Sequence, residues 1–113
     1  MLGLDLDTAS IGSISYRYRA KGLRTGGKGR LFFAQKGGPF DGKNCFVLPD
    51  VVTDGEWHTV TLMTDKAIVP QAWKAAGRVC SIRFDPAYSM EEEYELAFIR
   101  FERTLNGQNT NGK

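Results

Sequence analysis

Residues 13–20 read Ser13-Ile14-Ser15-Tyr16-Arg17-Tyr18-Arg19-Ala20. Successive side chains of an extended chain point to opposite faces, so this period of two marks a strand buried on one side. Ile14, Tyr16, Tyr18 and Ala20 form the face expected to enter a core. Ser13, Ser15, Arg17 and Arg19 form the face expected to line the outer or concave surface of a sheet. Outward from this stretch, turn signals recur at Thr25-Gly26-Gly27, Gly37-Gly38-Pro39, Asp41-Gly42, Asp54-Gly55 and Asn106-Gly107. Short runs rich in β-branched and aromatic residues separate them, as strands separated by loops do. Strands are expected near 11–20, 30–35, 45–52, 57–64, 78–84 and 94–102. With no long amphipathic helix among them, the fold class is all-β, an antiparallel β-sandwich. The alternation in Glu56-Trp57-His58-Thr59-Val60-Thr61-Leu62-Met63 is mixed, which predicts a strand covered on both faces.

A chain of 113 residues has length for one core, so residues 1–103 are read as a single domain. The asparagine-rich tail at 104–113 reads as a disordered terminus or the start of a linker. Residues 65–77, with Pro70 and alanines at 72, 75 and 76, suit a loop containing one helical turn. Hydrophobic residues at 42% and charged residues at 25% are ordinary for a folded domain. A net charge of only +2 disfavours nucleic acid, whose partners carry a one-sided basic footprint. No apolar run approaches the roughly 18 residues needed to cross a bilayer, so no membrane partner is expected. The first ten residues hold two acids and no basic region, so they do not read as a secretory signal. That leaves an intracellular protein, or a segment of a longer one whose leader lies elsewhere. Cys45 and Cys80 either pair or remain buried thiols, and their apolar flanks favour thiols.

Four segments then follow one another in a familiar order. Asp54-Gly55-Glu56-Trp57-His58-Thr59-Val60 is followed by Trp73 in a loop. Val79-Cys80-Ser81-Ile82-Arg83-Phe84-Asp85-Pro86 leads into Tyr94-Glu95-Leu96-Ala97-Phe98-Ile99-Arg100-Phe101. This order resembles the galactose-binding-like β-sandwich (jelly-roll) domains found beside catalytic domains in bacterial carbohydrate-active proteins. There a DGxWH strand, a tryptophan loop, an RxDP strand and an IDyIrl-like strand occur in that sequence. Tyr16-Arg17-Tyr18-Arg19-Ala20 matches the earlier RxR strand, so the likeness spans roughly residues 4–102. The DGxWHxV motif alone also occurs in laminin-G-like domains; the combination and order carry the resemblance. It implies a jelly-roll sandwich, a non-catalytic carbohydrate-binding or ancillary role, and an extracellular or cell-surface location within a larger protein.

Two departures accompany it. Such domains usually carry one or two strands before the segment matching Leu4–Asp7, and a sandwich starting here would expose an edge inviting homodimerisation. Some relatives hold a structural calcium near their termini, but Ala97 stands where the pattern usually carries Asp. Losing that carboxylate weakens a site for an ion that prefers several oxygens, so no metal or other cofactor is expected.

The arginines are the most suggestive candidates. Arg17 and Arg19 share one face, while Arg83 and Arg100 lie on two other expected strands. If those strands join one sheet, the four guanidiniums converge on its open face, where bidentate contacts suit an acidic glycan. Cross-strand pairing with Asp5, Asp7, Glu95 or Glu102 is the plainer alternative. Aromatic rings stack on sugar faces, and Tyr88 and Phe40 lie in loops where exposure is expected. Trp57 and Trp73 read first as packing residues, with Trp73 retained as a ligand-binding candidate. His58, the single histidine, reads as a hydrogen-bonded strand residue rather than half of a Cys/His dyad. Glu91-Glu92-Glu93 reads as a solvated loop, not a glycosidase carboxylate pair. The glycines at 22, 26, 27 and 29 alternate with Lys21, Arg24, Lys28 and Arg30 as a basic hairpin loop.

The ligand-binding set expected from sequence is therefore Arg17, Arg19, Trp73, Arg83, Tyr88 and Arg100, with a polysaccharide or oligosaccharide as partner. No catalytic residue is assigned. A structural or protein-interaction domain that completes its sandwich by homodimerisation is the alternative, and a small hydrolase ranks last.

Overall fold

The computed structural model describes residues 4–21, 28–86 and 93–103. Within them lie eight strands: β1 (Leu6–Asp7), β2 (Ile11–Lys21), β3 (Arg30–Ala34), β4 (Cys45–Val47), β5 (Asp54–Met63), β6 (Arg78–Val79), β7 (Ser81–Asp85) and β8 (Glu93–Arg103). A 3-10 turn at Thr8–Ser10, another at Thr64–Lys66 and a short helix α1 (Ala72–Ala76) are the other elements among the described residues. All strand pairs are antiparallel. They form one sheet ordered β5-β2-β8, a second ordered β4-β3-β7, and a ribbon of β1 with β6.

Both three-stranded sheets send their apolar faces into one core. Ile14, Tyr16, Tyr18 and Ala20 of β2 are buried there, as the alternation in residues 13–20 predicts. Leu31 and Phe33 of β3, Phe46 of β4 and Ile82 of β7 join them from the second sheet. Helix α1 closes one end by inserting Trp73, which is 2% exposed and packs against the rings of Phe33 and Phe46. Its Nε1 donates to the carbonyl of Thr8 at 3.2 Å, so the indole's one polar atom is satisfied inside. Thr8 is itself buried, and its hydroxyl donates to the carbonyls of Lys74 and Gly77.

Three expectations shift in detail. The segment expected as one strand at 78–84 serves two sheets: Arg78 and Val79 pair with β1, Ser81–Asp85 pair with β3, and Cys80 donates its amide to Ala34. The strand expected at 45–52 ends at Val47, before Pro49, which offers no amide to a ladder. The amide of Val52 is instead taken by the hydroxyl of Tyr18 at 2.9 Å. Finally, β5 is not covered on both faces. His58, Val60 and Leu62 turn inward while Trp57, Thr59, Thr61 and Met63 turn outward, with Trp57 37% and Met63 50% exposed.

Gly29 shows how closely the chain packs where β3 begins. A Cβ added there would lie 2.1 Å from the carbonyl oxygen of Asp85 and 2.4 Å from Pro86, so no side chain fits. Gly55 adopts a φ of +80°, and the turn it makes lets Asp54 accept the amide of Glu56 at 2.9 Å as β5 begins. The tail at 104–113, the tip of the basic loop at 22–27, and Tyr88 with Glu91 and Glu92 lie outside the described residues.

Candidate functional site

The outward face of the β5-β2-β8 sheet gathers most of the arginines singled out in the sequence. Its register sets Arg19 opposite Trp57 on one side and Glu95 on the other. One step along, Arg17 lies opposite Thr59 and Phe98; the next outward position sets Ser15 opposite Thr61 and Arg100. Between Arg17 and Tyr18 the register slips by one residue, leaving Ala97 as a bulge in β8. Bulges bend a strand and re-aim its side chains. Here the bulge keeps Phe98 and Arg100 on the outward face beside Arg17, while Glu95 meets Arg19.

Each arginine on this face lies near an aromatic ring. The Arg19 guanidinium is 4.8 Å from the centroid of Trp57, and that of Arg17 is 5.6 Å from the same ring. Arg100 folds over Phe98 at 4.2 Å. These cation–π contacts order long side chains that would otherwise sample many rotamers. The partnering by charge is uneven. Arg19 forms an ion pair with Glu95, through Nε at 2.7 Å and through Nη2. Arg17 donates to the Thr59 hydroxyl at 3.0 Å, and neither it nor Arg100 has a carboxylate within ion-pair distance among the described residues.

At the other end of the face, Glu102 accepts hydrogen bonds from Ser15 at 2.7 Å and Ser13 at 2.9 Å. These bonds, Ser15 first, hold its carboxyl below the usual carboxylate range, with Arg100 helping.

Arg83 does not belong to this constellation. It lies on β7 in the second sheet, over the ring of Phe32 at 5.2 Å, and pairs with Asp85 at 3.0 Å. The expected convergence of four arginines is therefore one of three, because β7 pairs with β3 rather than with β2 or β8. Trp73, carried from sequence as a ligand-binding candidate, is a core residue, and Trp57, read as core, is the exposed one. Tyr88 lies outside the described residues. Phe40 is 38% exposed and meets the edge of Phe32 on the second sheet's side.

The expected pairings with acidic residues hold only for Arg19. Asp5 pairs with Arg78 at 2.8 Å, and Asp7 caps the first 3-10 turn by accepting the amide of Ala9. His58 donates from Nε2 to Asp54 at 2.9 Å and lies 5.6 Å, centroid to centroid, from the ring of Tyr18. Both cysteines are free thiols. Cys45 is buried, donates to the carbonyl of Gly42 at 3.5 Å, and has its thiol pKa pushed up by burial. That shift runs opposite to what a thiolate nucleophile needs. Among the described residues no group of three or more His, Cys, Asp or Glu is placed to hold a metal ion.

Trp57 is the site residue the sequence reading missed. In the structure Trp57 and Met63 are in phase with two threonines, opposite Val60 and Leu62. Because both faces of β5 carry apolar residues, the sequence alone held no signal for which one lies outward. Compared with known protein families, with curated proteins and with solved structures, the chain matches none of them.

Proposed function

We propose that this chain is a non-catalytic, polysaccharide-binding ancillary module, a jelly-roll sandwich within a larger extracellular or cell-surface carbohydrate-active protein. The observation that carries the reading is the exposed indole of Trp57, flanked by Arg17 and Arg19 on an open sheet face. An aromatic ring offers its surface to the axial C–H groups of a sugar, while neighbouring guanidiniums donate to hydroxyl or carboxylate oxygens. The order of sequence motifs adds the carbohydrate-active context. Affinity gel electrophoresis against neutral plant glycans, uronic-acid polymers and sulfated glycans tests it. Retardation by at least one glycan, abolished by Trp57→Ala in a folded protein, is the expected result. Free migration with every polymer removes the reading.

A second reading rests on the edge of β5. From Trp57 to Met63 that strand carries no Asp, Glu, Lys or Arg, and it has one sheet neighbour among the described residues. The opposite edge, β8, is interrupted by its bulge and carries Glu93, Glu95, Arg100, Glu102 and Arg103, the devices that discourage edge pairing. In this reading β5 pairs antiparallel with β5 of a second copy about Val60, bringing Trp57 opposite Met63. Light scattering after size exclusion tests it. A dimer that Thr61→Lys converts to a folded monomer supports homodimerisation, and a monomer at high concentration removes it.

A further inference from the structure

Among the described arginines on the sheet face, Arg17 and Arg100 stand out because neither has a carboxylate within ion-pair distance among the described residues. Arg19 is neutralised by Glu95, and Arg83 on the other sheet by Asp85. Among the described residues, Arg17 has the neutral hydroxyl of Thr59 and the ring of Trp57, and Arg100 has the ring of Phe98. The two are diagonal neighbours: Arg17 lies opposite Phe98, and Arg100 folds back over that same ring. Diagonal cross-strand neighbours are within reach of each other's long side chains, so one small anion could meet both guanidiniums. Glu102 on the same face is drawn towards Ser15 and Ser13; the Arg100 charge acts on it, but it forms an ion pair with neither guanidinium.

We infer that the β5-β2-β8 face takes an acidic glycan, one uronate carboxylate lying between Arg17 and Arg100 while a neighbouring sugar ring packs on Trp57. This rests on the polysaccharide-binding reading above and names its ligand class. The planar guanidinium fork matches a carboxylate in a way that a neutral hydroxyl cannot. The rings of Phe98 and Trp57 already hold both guanidiniums near the face, which reduces the side-chain ordering left to the binding step.

The test compares a uronic-acid homopolymer, its fully methyl-esterified form, and polyglutamate in affinity gels, with a panel of neutral glycans beside them. The uronate polymer is expected to bind at least roughly tenfold more tightly than the ester, the ratio expected for a charge-assisted hydrogen bond. Arg17→Gln and Arg100→Gln, which keep most of each side-chain stem, are expected to abolish that preference; circular dichroism confirms that they fold. Equal binding of acid and ester, or of a neutral glycan in preference to both, overturns the acidic-ligand inference and leaves the module reading standing. No binding to any glycan removes the module reading itself. Polyglutamate binding as tightly as the uronate polymer overturns the inference by showing that the face reads charge alone. Loss of binding with Arg83→Ala but not with the Gln variants overturns it by moving the site to the other sheet.

Discussion

Trp57 and Arg19 face each other across β5 and β2, with the guanidinium carbon 4.8 Å from the centre of the indole. The contact lies on the outward face, so the largest aromatic side chain of β5 is spent on the surface while His58 beside it turns inward. Inward placement of a histidine is tolerated because its Nε2 reaches Asp54 and its ring meets Tyr18.

The two tryptophans are expected to respond very unequally to truncation. Trp57→Ala removes an exposed ring and its cation–π contacts, a loss of about 0.5–1 kcal/mol at a surface site. Trp73→Ala empties the space between Phe33, Phe46 and Thr8 and is expected to cost about 3–5 kcal/mol. Urea denaturation of both variants measures the difference, and near-equal midpoints contradict the placement of Trp73 in the core.

Gly29→Ala is expected to destabilise the domain by about 1–3 kcal/mol or more, because the new methyl meets backbone atoms of Asp85 and Pro86 that have no rotamer to escape into. Gly42→Ala, where an added Cβ meets nothing within 4 Å, serves as the control. Thermal melts that shift equally for the two would refute the close approach of residue 29 to the end of β7.

Acid stability follows from three carboxylates. Asp54 is held below its ordinary value of 3.8 chiefly by the hydrogen bond from His58, with the amide of Glu56 adding to it. Asp5 is lowered by Arg78, and Glu102, ordinarily near 4.5, by Ser15 and Ser13. Each folded pKa lies below the unfolded one, so the stabilisation is complete above the unfolded values and is lost as pH falls through the folded ones. Unfolding measured from pH 6 downwards is expected to be level above about pH 5 and to weaken below about pH 4. Ser15→Ala is expected to return the Glu102 titration, followed by carboxyl NMR, towards the ordinary glutamate value.

Cys45 and Cys80 are expected to differ in reactivity. Cys80 is partly exposed, whereas the Cys45 thiol is buried and bonded to Gly42. With a small disulfide reagent, Cys80 is expected to react first and Cys45 only as fast as the domain opens. Two thiols per chain are expected after denaturation without reductant. Zero would show that the pair oxidises.

Much of this architecture was legible in the order of the residues. The alternation of β2 separates core from surface because a strand's side chains have no choice but to alternate, and every apolar member of that face is buried. Turn signals and β-branched runs placed the main strands to within a few residues, apart from the early end of β4 and the division of 78–84 between β6 and β7. Even Ser13, Ser15, Arg17 and Arg19 fell on the outward face as read.

What a linear reading could not decide was which strands become neighbours and which face of β5 lies outward. Strand partnership is set by long-range pairing, which leaves no local mark on a short segment such as Ser81–Asp85. It alone put Arg83 on one sheet and Arg17, Arg19 and Arg100 on the other. Likewise, the sequence determined that β5 alternates, but both of its faces carry apolar residues, so periodicity could not say which one meets the core. Packing decided that Val60 and Leu62 point inward and Trp57 outward, and so placed an indole beside two guanidiniums.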